Sequence, residues 1–173
     1  MDAAEDLCRP PSLGLYCFGC CSSAFGSALS VEEGLDANTA RYRRNVNEWT
    51  WLRDNSYGTT PAGLCNLVVR LGALGIGEGP NEIGCPLHKA RHDGIERRGA
   101  DCLPTYECGT RRSYVQWPAQ TQRAFLEFLG TVVTDSATYS AHMDTGYWQR
   151  KFFAHLQECG EPLLPLIGPS DRR

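Results

Sequence analysis

The sequence predicts a mainly α fold: a small helical domain interrupted by two irregular, cysteine-bearing loops. Three observations carry that prediction. Apolar residues recur at helical spacing over several stretches. Helix-starting signals stand in front of those stretches. Gly, Pro and Cys gather in the segments between them.

The elements follow in order along the chain. Residues 1–29 are rich in Gly, Ser, Cys and Pro and read as loop. Ser30 serves as an N-cap with Glu33 three residues later, a capping-box pattern. Behind it, Leu35, Tyr42, Val46, Trp49 and Leu52 fall mostly three, four or seven apart, predicting a helix over 31–54 with one buried face. Pro61 suits a first helical position, and "PAGLCNLVVRLGALG" predicts a short second helix carrying Leu64, Leu67, Val68, Leu71 and Leu74. From there to about residue 110, Gly and Pro punctuation with little periodicity predicts an ordered loop. Trp117-Pro118 opens a third helix that buries Phe125, Leu126, Phe128, Leu129 and Val132. Asp135 or Thr134 caps a fourth, running to Glu158 with a break near Gly146. The domain reading is an N-terminal loop over 1–14, a cysteine-bearing helical domain over 15–159 and a Pro/Gly-rich tail over 160–173.

Composition narrows the function. At 42% hydrophobic and 21% charged over 173 residues, the chain has material for an ordinary core and does not need its cysteines to rescue a miniature fold. A net charge of -3 gives no electrostatic case for a nucleic-acid partner. Fifteen of the seventeen basic residues are Arg, which biased genome composition explains. No apolar run is long enough to span a membrane. The opening "MDAAEDLCRPPSLG" is acidic and lacks the basic and apolar regions of a leader, so the expected location is the reducing cytosol. Structural disulfides are rare there, and nine cysteines then point to metal or redox chemistry.

Six of those cysteines form two groups. Cys17, Cys20 and Cys21 make C-x2-C-C, and Cys85, Cys102 and Cys108 make C-x16-C-x5-C. Two sulfurs separated by two residues can curl around one ion, but that ion stays under-coordinated until a distant group completes its shell. The second group supplies the complement. The adjacent pair Cys20-Cys21 is harder to place, because neighbouring side chains diverge. Either one of the two is a structural thiol or the site holds more than one metal atom. Four thiolates, or three with an imidazole from His88 or His92, would suit zinc. Thiolates at several corners would suit an iron–sulfur cluster.

In the order "CFGCC", "LSVEEGL", "CPLH" and "CLPTYEC" the chain resembles the zinc- or iron-chelating cysteine-cluster (CxxCC) proteins. The likeness spans roughly residues 15–110. It implies metal ligation by Cys17, Cys20, Cys21, Cys85, Cys102 and Cys108, and nothing about the process served. Relatives place an Arg-Pro dipeptide between the Tyr and the last cysteine, which "TYECGTRR" lacks.

The remaining residues have plainer readings. Cys65 sits among apolar neighbours as a core thiol, and Cys8 and Cys159 read as incidental. A thioredoxin-type role needs a preceding strand, which is not predicted before Cys17. His142 and His155 lie on a helix and read as structural, the four Trp residues as packing, and "RYRR" and "ERR" as solvated faces. The sum is a helical domain whose two irregular loops enclose a metal centre, holding zinc or an iron–sulfur cluster in a closed structural or electron-transfer site. The alternatives are a metalloenzyme with an open coordination position, using His88, His92 or Tyr106, and a metal-shaped adaptor that offers its long helices to a protein partner.

Overall fold

A computed structural model describes residues 5–21, 25–44, 58–95, 97–98, 102 and 106–160. Among them the architecture is mainly helical: α1 (Ala28–Arg44), α2 (Gly109–Tyr114), α3 (Ala119–Val132), α4 (Ser136–Met143) and α5 (Tyr147–Glu158). Two two-residue strands, β1 (Val69–Arg70) and β2 (Ile83–Gly84), pair antiparallel with Val69 opposite Gly84. None of the described helices is long and apolar enough to cross a membrane.

The first helix starts earlier than its sequence pattern indicates. Ser27, rather than Ser30, does the capping: its hydroxyl accepts from the Ser30 N–H at 3.2 Å. Ser30 lies inside the first turn and donates its own hydroxyl back to the Ser27 carbonyl at 2.8 Å. Leu35 and Tyr42 are buried as expected, while Val46, Trp49 and Leu52 lie outside the described residues. Arg41 and Arg43 are not simply a solvated face. They donate to the carbonyls of Asn66 and Ala73 at 3.1 and 2.9 Å, tying α1 to the following loop.

The second predicted helix does not form. Residues 61–75 run through turns, an isolated bridge between Thr59 and Cys65, β1, and a single 3-10 turn over Gly72–Leu74. Four of the five apolar residues chosen for it are still interior, Leu64, Leu67, Val68 and Leu71 each at most 6% exposed, while Leu74 is half-buried. What overrides the helical spacing is where the backbone finds its partners. Gly63 is left-handed at φ +77, which stops a helix two residues after Pro61, before its first turn is complete. The Asn38 side-chain amide, itself buried on α1, donates to the carbonyls of Cys65 and Val68 at 3.1 and 3.0 Å. Side-chain donors from another element thus take the carbonyls a helix would have used. Just before β2, Glu82 is buried and pairs with Arg91 at 2.8 Å, closing the segment that contains Cys85.

The C-terminal third follows the sequence closely. Pro118 stands at the cap of α3, and Phe125, Leu126 and Leu129 are buried beneath it. Phe128 is only half-buried. Val132 is 45% exposed and Val133 takes the interior position, because the helix ends there and the next residue turns extended. Asp135 caps α4 by accepting from the Thr138 N–H at 2.7 Å. The expected break falls at residues 144–146. Trp117, Phe125 and Phe152 stack into one aromatic cluster, with ring centroids 5.2 to 6.1 Å apart. Leu7 and Leu15, placed by their sequence in loop, are buried in the same cluster.

Candidate metal centre

The N-terminal thiols sit on a strip of backbone fastened to α4. Tyr16 N–H donates to Ser136 Oγ and Phe18 N–H to Ser140 Oγ, both at 3.0 Å, and Ser140 Oγ donates to the Tyr16 carbonyl at 3.3 Å. The 3-10 turn Gly19–Cys21 lies so close to α4 that a Cβ on Gly19 would stand 2.7 Å from the Ser140 carbonyl oxygen. Glycine is what lets the turn approach. Tyr139 OH donates to the Leu7 carbonyl at 2.8 Å, and Cys17 N–H to the Cys8 carbonyl at 2.9 Å, so Cys8 runs alongside Cys17. Ser140→Ala strands the buried Phe18 N–H. It should cost about 1–3 kcal/mol and lower the midpoint of thermal unfolding by about 2–12 °C. An unchanged melting curve would show that the strip is held by other contacts.

The other thiols arrive from three elements. Cys65 donates its N–H to the Cys21 carbonyl at 2.9 Å, so the loop after α1 lies directly against the N-terminal turn. Cys85 follows β2, and its carbonyl accepts from His88 N–H at 3.1 Å. Cys108 is the N-cap of α2, its sulfur accepting from the Arg111 N–H at 3.5 Å. One construction recurs. The sulfurs of Cys17 and Cys65 each accept the N–H two residues on, from Gly19 and Leu67, at 3.5 Å. Cys85 takes the Leu87 amide in the same way. A backbone dipole aimed at sulfur stabilises the thiolate, the form that binds metal.

The thiols act on one another electrostatically in a chain that Cys20 and Cys21 join. Cys17 feels Cys8, Cys20 and Cys108, while Cys8 also feels Cys20 and Cys108, and Cys108 feels Cys20. Cys21 feels Cys20 most, then Cys85 and Cys65, while Cys85 and Cys65 both feel Cys102. Apolar packing separates some of them: Cys17 and Cys108 lie in the cluster of Leu7 and Tyr139, Cys65 and Cys85 in that of Leu67 and Leu87. Burial raises most of these thiols. It pushes Cys85 and Cys8 up to about 12, and Cys17, Cys65 and Cys108 upward as well. Cys20 runs the other way, lowered to about 7 by the hydrogen bond it receives from Cys21, whose own thiol is raised by that bond and by burial. Cations border several of them. Arg98 acts on Cys20 and on Cys85, Arg111 on Cys8, and Arg41 on Cys65.

The two cysteine-rich stretches therefore meet, but the six residues singled out from the sequence do not fall into one group. Cys17 and Cys108 border one apolar cluster and Cys85 lies in another, while Cys20 and Cys21 are hydrogen-bonded to each other. Two thiols the sequence reading set aside, Cys8 and Cys65, stand among them. Cys159 lies exposed at the end of α5, its sulfur 3.8 Å from His155 Nε2. The His92 ring is engaged with the Pro86 carbonyl at 2.8 Å, Tyr106 OH donates to Asp144, and His142 packs on Tyr147 with ring centroids 4.4 Å apart.

Among the described residues, no three His, Cys, Asp or Glu side chains stand together in a group that could hold a metal ion as they are. The fit is one of donor chemistry and neighbourhood: soft sulfur donors, amides aimed at them, and flanking guanidiniums that offset the negative charge of a thiolate-bound ion. Compared with family models, with curated proteins and with solved structures, the chain matches none.

Proposed function

We propose that this chain is a thiolate metal-binding protein, holding zinc or an iron–sulfur cluster in a closed site of structural or electron-transfer type. The observation that carries the reading is the gathering of cysteines from the N-terminal turn, the loop after α1, the hairpin exit and the cap of α2. Segments remote in sequence contribute sulfur to one region, and buried sulfur so placed suits metal ligation better than surface reactivity. A closed shell is favoured over a catalytic one because two of the three acid–base candidates, Tyr106 and His92, have other work. Tyr106 is bound to Asp144, and the His92 ring is bound to Pro86.

Metal analysis of anaerobically purified protein tests this directly. Stoichiometric zinc in a colourless protein, or iron with labile sulfide in a brown one, is the expected result. Cys20→Ser and Cys21→Ser, made separately, should each reduce the bound metal. Protein that purifies free of both metals and takes up neither on reconstitution under reducing conditions would reject the reading.

A further inference from the structure

We infer that Cys20 and Cys21 form a redox-active dithiol, which a hydroperoxide closes to a disulfide between consecutive residues and a thiol reductant reopens. The inference does not rest on the metal-binding reading, because the step is one of the metal-free thiols. Two sulfurs joined to each other cannot also ligate an ion, so at this turn the two chemistries exclude one another.

Three features of the turn lead to it. The first is access: Cys8, Cys20 and Cys159 are the exposed cysteines, and an oxidant must reach the sulfur it modifies. The second is the partner. The Cys21 S–H donates to the Cys20 sulfur, so a resolving thiol already lies within hydrogen-bond reach of an exposed one. Cys159 has the His155 ring beside it instead. The third is anchoring. Both residues lie in the 3-10 turn Gly19–Cys21. The Cys21 N–H donates to the Phe18 carbonyl and the Cys21 carbonyl accepts from the Cys65 N–H, both at 2.9 Å. Phe18 is itself tied to Ser140 on α4. The fold, and not a chance approach of loops, therefore holds the two sulfurs together.

The chemistry needs only the hydroperoxide. The Cys20 sulfur attacks a peroxide oxygen: an S–O bond forms, the O–O bond breaks, and the thiol proton leaves on the departing alcohol or water. The Cys21 sulfur then attacks the sulfenic sulfur of Cys20. The S–S bond forms, the S–O bond breaks, and the Cys21 proton leaves with the hydroxyl as water. In total two electrons pass from the dithiol to the peroxide. Consecutive Cα atoms lie about 3.8 Å apart across a trans peptide, less than the roughly 4.4–6.8 Å of a relaxed disulfide. The product is strained as well as exposed, which makes it a readily reduced, regulatory bond and not a structural one.

Hydrogen peroxide in small molar excess, added to the reduced, metal-stripped full chain, tests the step. Alkylation of the remaining thiols and intact mass should then show two hydrogens lost and seven of the nine cysteines alkylated, all nine returning after dithiothreitol. Cys21→Ser should instead accumulate a sulfenic acid on Cys20 that dimedone traps. Cys20→Ser should show neither product at the same dose, and Cys159→Ser should keep the two-hydrogen loss. Nine alkylated cysteines in the peroxide-treated wild type, or a disulfide that still forms in Cys20→Ser or Cys21→Ser, would overturn the inference whatever metal the protein binds. Should a serine variant fail to fold, peptide mapping of the oxidised wild type decides alone, since any joined pair other than Cys20 with Cys21 is equally fatal.

Discussion

On the metal-binding reading, chelation of the intact protein should release residues 58–95 from their ordered state while α3, α4 and α5 stay helical. The expectation follows from how differently the two regions are held. The C-terminal helices close on a dense aromatic cluster in which Phe125, Leu129 and Phe152 are at most 1% exposed. The segment 58–95 has two strands of two residues each and single turns of 3-10 helix, too little regular structure to order a chain of that length by itself. Its contacts to α1 help, through Asn38 and through the packing of Val31 and Leu35 on Leu64 and Val68. Metal ligation through Cys85 would add far more, since structural zinc is worth about 10–16 kcal/mol in small metal-folded units, as much as the whole stability of a typical domain. Hydrogen exchange before and after chelation checks this. Amides of 58–95 should lose protection by about a thousandfold or more, equivalent to roughly 4 kcal/mol of opening free energy. Protection unchanged in a chelated protein would mean that the segment is ordered by its protein contacts alone.

The second large effect lies far from the thiols. Phe125→Ala should cost about 3–5 kcal/mol and lower the thermal midpoint by about 6–20 °C. Phe125 is fully buried, and its ring meets Trp117 at 5.3 Å, Phe152 at 5.2 Å and Tyr114 at 6.1 Å between centroids. Truncation opens a cavity between three rings that are themselves wedged by neighbours and cannot collapse into it. Metal stoichiometry of the molecules that remain folded should be unchanged, which separates this substitution from those at cysteines. A small loss, under about 1 kcal/mol, would show the cluster to be plastic.

These two regions also differ in how well the sequence describes them. Around α3 to α5 the local signals and the tertiary environment agree. Pro118 and Asp135 stand where helices start, and the spacing of Phe125, Leu126 and Leu129 marks the buried face. Around 61–75 they disagree. Leu64, Leu67, Val68 and Leu71 have helical spacing and are buried, yet the chain is not helical, because Asn38 and Cys21 compete for its backbone groups from elsewhere in the fold. Spacing identified the interior residues correctly and the secondary structure wrongly. The cap of α1 shows the same limit on a smaller scale: two serines three residues apart both suit the role, and Ser27 takes it.

For the thiols, the residue type and the pairing of two remote stretches could be read from the chain, since sulfur chemistry depends on identity and a closed shell demands partners. Which sulfur neighbours which could not. Cys8 has no motif around it and becomes a neighbour of Cys17 only through a backbone hydrogen bond and the Tyr139 tether to Leu7. Cys65 looks like a core residue because its flanks are apolar, and it reaches Cys21 only because residues 61–75 are turns instead of a helix. By itself, the sequence determined the mainly helical class, the buried faces and the supply of soft donors, all of which follow from side-chain chemistry and local period. Tertiary structure alone decided the grouping of those donors, because proximity across a hundred residues is set by backbone partners that no local pattern encodes.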